Sequence, residues 1–172
     1  VREEFQQAPI LDPDAMAKSI RDTLPGADSD IDAGKRVIRR AEELIESGQS
    51  FTVETTLSGS TYLRMAVRAK EVGFLLAVIF VGTSSVEINI ERVKVRVQKG
   101  GHDVREEDQR RRWPRTLANM KRLLPLADRV VILDNSTTQG YSLVAAGHRG
   151  FMHWNEPMPE WAEGLRTCCG QR

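Results

Sequence analysis

Apolar residues recur along the chain at two spacings, and the two alternate. From Asp12 the spacing is helical. Met16, Ile20 and Leu24 share a face behind an Asp12-Pro13-Asp14 start, with Asp12 suited to the N-cap, Pro13 to the first helical position and Asp14 to the first turn. Pro25-Gly26 ends that segment. A second helix is predicted from Ile31 to Ser47, with Val37, Ala41, Leu44 and Ile45 on one face and Gly48 behind it. Phe51 and Val53 alternate with polar residues and predict a strand over 51–55. A helix over 60–72 follows, carrying Leu63, Val67 and Val72 and stopped by Gly73. Residues 74–81 contain the longest apolar run and predict a strand buried on both faces, as in a parallel sheet.

Residues 84–99 fit both periods. Val86, Ile88, Ile90, Val93, Val95 and Val97 alternate, yet Val86, Ile90, Val93 and Val97 also share a helical face. The length, a Ser84-x-x-Glu87 capping box and the Gly100-Gly101 stop favour a helix. Two basic helices, 105–113 and 115–124, are predicted on either side of Pro114. A strand over 129–134, an edge strand over 141–146 and a last helix over 159–165 complete the pattern. Alternating strands and helices predict an α/β fold, a mostly parallel sheet flanked by crossover helices.

Composition narrows the class. The chain has 172 residues, a length that suits one domain, and its 40% hydrophobic and 28% charged residues suit a folded globular protein. A net charge of +1 argues against a general polyanion binder. The two cysteines, Cys168 and Cys169, are adjacent and cannot staple distant segments, which suits a reducing, cytoplasmic setting. The apolar run is too short to span a bilayer, and no signal peptide is visible.

Candidate chemistry gathers at strand ends. In α/β sheets, ligands bind beyond the carboxyl ends of the strands. The strand over 51–55 ends in Glu54, Thr55 and Thr56, with Ser58, Ser60 and Thr61 behind them. A ligand site and simple capping of the next helix account for these residues equally well. Asp12 and Asp14 by themselves suit a helix start, and the Arg110–Arg112 run suits a solvated helix face. His102 suits a turn, and Asp134-Asn135-Ser136 suits a turn after a strand. Trp113, Trp154 and Trp161 suit packing. His148 and His153 lack partners at metal-site spacing, so no structural metal is expected.

Three segments together, QSFTVETTLSGSTYL, VQKGGHDVREEDQRRRW and LADRVVILDNS, resemble the zeta toxin family of P-loop kinases, and more narrowly its short stand-alone bacterial members. The resemblance spans roughly residues 1 to 138 and leaves 139–172 as a C-terminal extension. It implies a single nucleotide-kinase-like domain over 1–172 that uses ATP and Mg²⁺ to phosphorylate a hydroxyl. In the characterised toxin branch the acceptor is UDP-N-acetylglucosamine, and an antitoxin protein is the implied partner. Asp14 in ILDPDAMA matches the family's base on the accepting hydroxyl, and Glu54 matches its substrate-holding acid, with Thr55 and Thr56 beside it. Arg96 and Arg111 match lid arginines, with Arg110 and Arg112 as further phosphate contacts. Asp134 and Asn135 fall on the nucleotide side. These residue types suit phosphoryl transfer, which needs positioning and charge neutralisation more than covalent help.

One family feature is missing. No G-x-x-x-x-G-K-[ST] occurs, and Gly34-Lys35 lacks the spaced Gly and the following Ser or Thr. In the family this loop lies just ahead of a segment resembling Val1–Phe5, so the family's first strand is expected to be absent as well. Truncation is one explanation and a pseudokinase that has lost ATP binding is the other; the retained acid and arginine positions favour truncation. The unpaired edge left by that strand would invite a homodimer. Asp12 stands where Asn is common in the family, Arg105 where Pro is common, and Pro114 interrupts a helix that is usually smooth. A different reading takes the Arg-rich stretch 105–122 as a nucleic-acid-binding surface. Glu106, Glu107 and Asp108 dilute its charge and count against that reading.

Overall fold

In the computed structural model, which describes residues 8–23 and 29–168, the chain forms a mixed α/β structure in two compact units, one ending at Thr56 and the other beginning at Leu57. The Val1–Phe5 segment, Leu24, the Pro25-Gly26 stop and Cys169 lie outside the described residues.

The first unit runs β1 (Ile10–Leu11), α1 (Pro13–Thr23), α2 (Ser29–Glu46) and β2 (Thr52–Val53). The two short strands pair in parallel, Ile10 opposite Thr52 and Leu11 opposite Val53. Hydrogen bonds from the Thr52 amide to the Pro9 carbonyl (2.9 Å) and from the Glu54 amide to the Leu11 carbonyl (3.0 Å) extend the ladder at both ends. Asp12 caps α1 as expected. Its Oδ1 accepts from the amides of Asp14 (2.8 Å) and Ala15 (3.2 Å), two donors that the first helical turn leaves without intrahelical partners. Ala17 and Ile20 of α1 pack with Ala33 of α2. The predicted stripe Val37, Ala41, Leu44 and Ile45 is buried. Gly48, at φ +67°, ends α2, with the Gln49 amide turning back to the Leu44 carbonyl at 2.9 Å.

The second unit runs α3 (Thr61–Glu71), β3 (Ala77–Gly82), α4 (Val86–Gln98), α5 (Glu106–Leu123), a 3₁₀ turn over Leu124–Leu126, β4 (Arg129–Asp134), β5 (Ser142–His148), β6 (Phe151–Trp154) and α6 (Glu160–Arg166). The sheet order is β3-β4-β5-β6. β3 and β4 are parallel, from Ala77 opposite Arg129 to Gly82 opposite Asp134, and the other neighbours are antiparallel. The sheet is therefore mixed rather than mostly parallel.

Four expectations are corrected here. The segment expected at 141–146 is β5, which lies inside the sheet, and the outer strand is the short β6 beyond the Arg149-Gly150 turn. The strand at 51–55 shrinks to the two residues of β2, paired in parallel with β1. The run at 74–81 is not buried on both faces. Val78 and Phe80 pack on the core, whereas Leu75, Ile79 and Val81 are exposed, and β3 has no partner along its outer edge among the described residues. Finally, Pro114 lies inside one continuous helix instead of dividing two. Both Pro114 and Arg110, whose carbonyl loses its helical donor, are exposed, so water can satisfy that carbonyl. Meanwhile Met120 and Leu123 bury the helix's inner face.

The core joins Leu63 and Ala66 of α3, Met120 and Leu123 of α5, Val130 and Ile132 of β4, Val144 and Ala145 of β5, and Trp161, Ala162 and Leu165 of α6. Asp128 ties its periphery together. Its Oδ2 accepts from Lys70 Nζ of α3 at 2.5 Å and from the Leu76 amide ahead of β3 at 2.7 Å. Its own amide donates to the Leu76 carbonyl at 2.8 Å, and its carbonyl accepts from the Arg149 amide at 3.0 Å. The Lys70 hydrogen bond, then that from Leu76, holds the Asp128 carboxyl below the usual carboxylate range. A carboxylate depressed in the folded state stabilises it above the unfolded value, near 3.8, and that contribution fades as pH falls through the lower folded value. Asp128→Asn should therefore lower unfolding free energy by about 1–3 kcal/mol at pH 7, and the gap from wild type should shrink in acid. Urea melts of both proteins at pH 7 and in acid check this.

Candidate active site

The parallel pairing of β1 with β2 decides where the two predicted carboxylates stand. Leu11 and Val53 are in register, so Asp12 and Glu54 leave the two strands side by side, and Asp14 follows within the first turn of α1. Asp14 and Glu54 thus emerge at one edge of one strand pair. Asp12 is committed to capping α1. Asp14 and Glu54 are exposed, and neither carboxylate has a hydrogen bond or ion pair with another side chain among the described residues. Thr55 and Thr56, also exposed, continue the chain from Glu54.

At the start of the second unit, Leu57 is buried in the core with a positive φ of 53°. A branched side chain rarely adopts that conformation, and it persists where surrounding contacts over-determine it. Here the contact comes from α5. Asn119 Nδ2 donates to the Leu57 carbonyl at 2.8 Å and to the Gly59 carbonyl at 3.3 Å. Ser60 then starts α3, with its hydroxyl accepting from Arg64 Nη1 at 2.6 Å.

The arginines expected to meet phosphate lie on α4 and α5, and three of the four have partners within the chain. Arg110 bridges two helices, reaching Glu87 of α4 at 2.6 Å and Glu106 of its own helix at 2.8 Å. The Arg110 hydrogen bond pulls the Glu87 carboxyl down, while Glu87 and then Glu106 push the Arg110 guanidinium up. Arg111 pairs with Asp108 at 2.5 Å, as does Arg105 at 3.3 Å. Arg96 Nη2 donates to the His102 carbonyl at 2.9 Å. Arg112 is half-buried and has no ion pair among the described residues. The expected Ser84 capping box is corrected: Ser85 holds the N-cap position of α4, and the Ser84 amide donates instead to Ser136 Oγ at 2.8 Å.

That bond belongs to a network at the carboxyl ends of β3 and β4. Asp134 Oδ1 accepts from Ser136 Oγ at 2.5 Å and from Trp161 Nε1 of α6 at 2.9 Å. The Asn135 amide donates to the Gly82 carbonyl at 2.9 Å. Gly82 lies under the Trp161 ring: a Cβ there would meet ring atoms at 2.3 Å. The packing reading of Trp161 holds, with an added polar tie. Asp134 and Ser136 thus shape the loops around this edge.

Sequence reasoning missed Asn119, the reach of Ser136 to the Ser84 amide and the polar role of Trp161. Each acts on a partner remote in sequence, and no local pattern marks such pairs. Two surface hollows of the second unit, one around Leu143, His153, Trp154 and Glu156 and one around Leu124, His148, Met152 and Cys168, contain none of the predicted site residues. Among the described residues no three His, Cys, Asp or Glu side chains gather in a way that would hold a metal ion, and no helix is long and apolar enough to cross a membrane.

No family model matches the chain. An uncharacterized protein of Haemophilus influenzae is 37% identical over 98 residues, covering 57% of this chain and 69% of that protein. The fold is similar to a chain solved in the molecular and structural characterization of the PezAT chromosomal toxin–antitoxin system of Streptococcus pneumoniae. That likeness has a TM-score of 0.53 at 17% identity and covers 97% of this chain and 77% of the other.

The Asp134–Trp161 tie can be tested with Trp161→Phe, which keeps the aromatic packing and removes the donor. It should cost about 1.5–3 kcal/mol, the range for a hydrogen bond to a charged acceptor. Thermal unfolding followed by circular dichroism checks the loss. An unchanged melting temperature would contradict the tie.

Proposed function

The chain belongs to the same family as the Haemophilus influenzae protein, and we propose that it is an ATP-dependent phosphotransferase of the zeta toxin type acting on a hydroxyl of a small molecule. The carrying observation is the register of β1 and β2, which brings Asp14 and Glu54 to one edge with both carboxylates exposed. In this reading Asp14 accepts the proton of the attacking hydroxyl, and Glu54, with Thr55 and Thr56, orients the rest of the acceptor. Arg96 and Arg111 neutralise charge on the transferred group, and Arg110 and Arg112 add phosphate contacts. Asp134 and Asn135 stand on the nucleotide side. The acceptor class is a nucleotide sugar such as UDP-N-acetylglucosamine, and the protein partner is an antitoxin.

No G-x-x-x-x-G-K-[ST] triphosphate-binding sequence occurs in residues 1–172. Gly34-Lys35, the nearest approach to one, lies within α2, where backbone amides serve the helix. ATP, with its Mg²⁺, is therefore not assigned to a loop of this chain. An in-frame phosphate-loop sequence ahead of the Val1 codon supports an active kinase, and its absence supports a non-catalytic relative. The second reading, a nucleic-acid-binding surface over residues 105–122, is disfavoured by the near-neutral charge of the chain, +1 overall.

Calorimetric titration with UDP-N-acetylglucosamine tests the acceptor side directly. Glu54→Gln should weaken binding by about tenfold or more, the equivalent of one charge-assisted hydrogen bond. Asp14→Asn should change binding little and cost less than about 1 kcal/mol of stability, because it keeps the shape of a first-turn residue. Wild-type affinity in Glu54→Gln would overturn the assignment.

A further inference from the structure

The Gly100-Gly101 pair ends α4 in a tight cap. The Gly100 amide donates to the Val97 carbonyl and the Gly101 amide to the Arg96 carbonyl, both at 2.9 Å, with Gly100 at φ +82°. These two bonds define a cap in which the left-handed residue is Gly100 and the next is Gly101. In such caps the residue at Gly101's place commonly places an apolar side chain against the residue at Arg96's place. Here the contact runs the other way. A Cβ on Gly101 would lie 2.5 Å from Arg96 Cγ, 3.0 Å from its carbonyl oxygen and 3.3 Å from its Cδ. The Arg96 stem occupies the space a side chain would take, and its head donates to the carbonyl of the following residue, His102. Gly100 accounts for the turn; the Arg96 stem, at 2.5 Å the nearest contact, is the main reason for the second glycine.

We propose that Gly101 is a positioning residue for Arg96, leaving room for the stem to cross the cap so that the His102 carbonyl can hold the guanidinium where it meets the anionic oxygens of a phosphoryl group. This rests on the reading of Arg96 given above. The turn thereby reduces the freedom that an exposed arginine would otherwise lose on binding.

The test uses the 172-residue chain and tripolyphosphate, titrated by calorimetry into wild type, Gly101→Ala, Arg96→Ala and the double variant. Gly101→Ala should weaken binding by about tenfold and add nothing in the Arg96→Ala background, the non-additivity expected of residues that act as one. Gly100→Ala serves as the folding control. It strains a positive φ with no atom within 4 Å of its Cβ, so it should lower the melting temperature and leave tripolyphosphate affinity unchanged. NMR signals of the two Arg96 Cδ protons, distinct when the stem is fixed, should converge in Gly101→Ala and not in Gly100→Ala. Equal losses from Gly101→Ala in both backgrounds would overturn the proposal, as would unchanged Arg96 signals. Weakening by Arg96→Ala alone, with Gly101→Ala neutral, would overturn the positioning role and spare the arginine's. An Arg96→Ala variant that binds like wild type, or a wild type that does not bind, would overturn both.

Discussion

The hydrogen bond from the Glu54 amide to the Leu11 carbonyl fixes two segments far apart in sequence so that both leave their strands in the same direction. A parallel pair has this consequence wherever it occurs: the connections beyond its carboxyl ends share an edge. Without that pairing, Asp14 would be only a first-turn acid on α1 and Glu54 only a polar residue in a loop. With it, Asp14 and Glu54 emerge at one edge of one strand pair with their carboxylates exposed, the placement on which the proposed acceptor site rests. The second unit repeats the geometry, since Gly82 and Asp134 end β3 and β4 opposite each other.

The polar ties at these edges differ in kind. Asp12 and Asp134 are committed to structure, one as a helix cap and the other as the acceptor joining Ser136 and Trp161. Most of the arginines expected to meet phosphate are also engaged, Arg110 with Glu87 and Glu106 and Arg111 with Asp108. The Arg110 pairs are exposed on both sides and worth little in water, so an anion could exchange with Glu87 and Glu106 at small cost. Arg96 differs because a turn built around its stem, rather than a carboxylate, holds it.

Much of this was legible in the sequence where the cause is local. Asp12-Pro13-Asp14 starts a helix because side chain and ring act on adjacent residues, and Gly48, Gly73 and Gly100 end helices by adopting positive φ. The apolar stripe of α2 declared its own face. The ambiguous 84–99 segment became a helix, its β-branched residues notwithstanding. What stayed hidden depends on remote partners: the pairing of β2 with β1, the inner place of β5, the continuity of α5 through an exposed Pro114, and Asn119 holding Leu57. Periodicity shows that a strand exists and leaves open which strand it joins. For the site, the residue types at the ends of β1 and β2 could be read in advance, but their side-by-side placement could not.

Backbone amide NMR of the chain, titrated with UDP-N-acetylglucosamine, tests the shared carboxylate edge most directly. The account predicts that amides of residues 12–15 and of residues 54–56 shift together, with one dissociation constant. Shifts confined to the arginine-rich helix, or to one of the two segments alone, would contradict it.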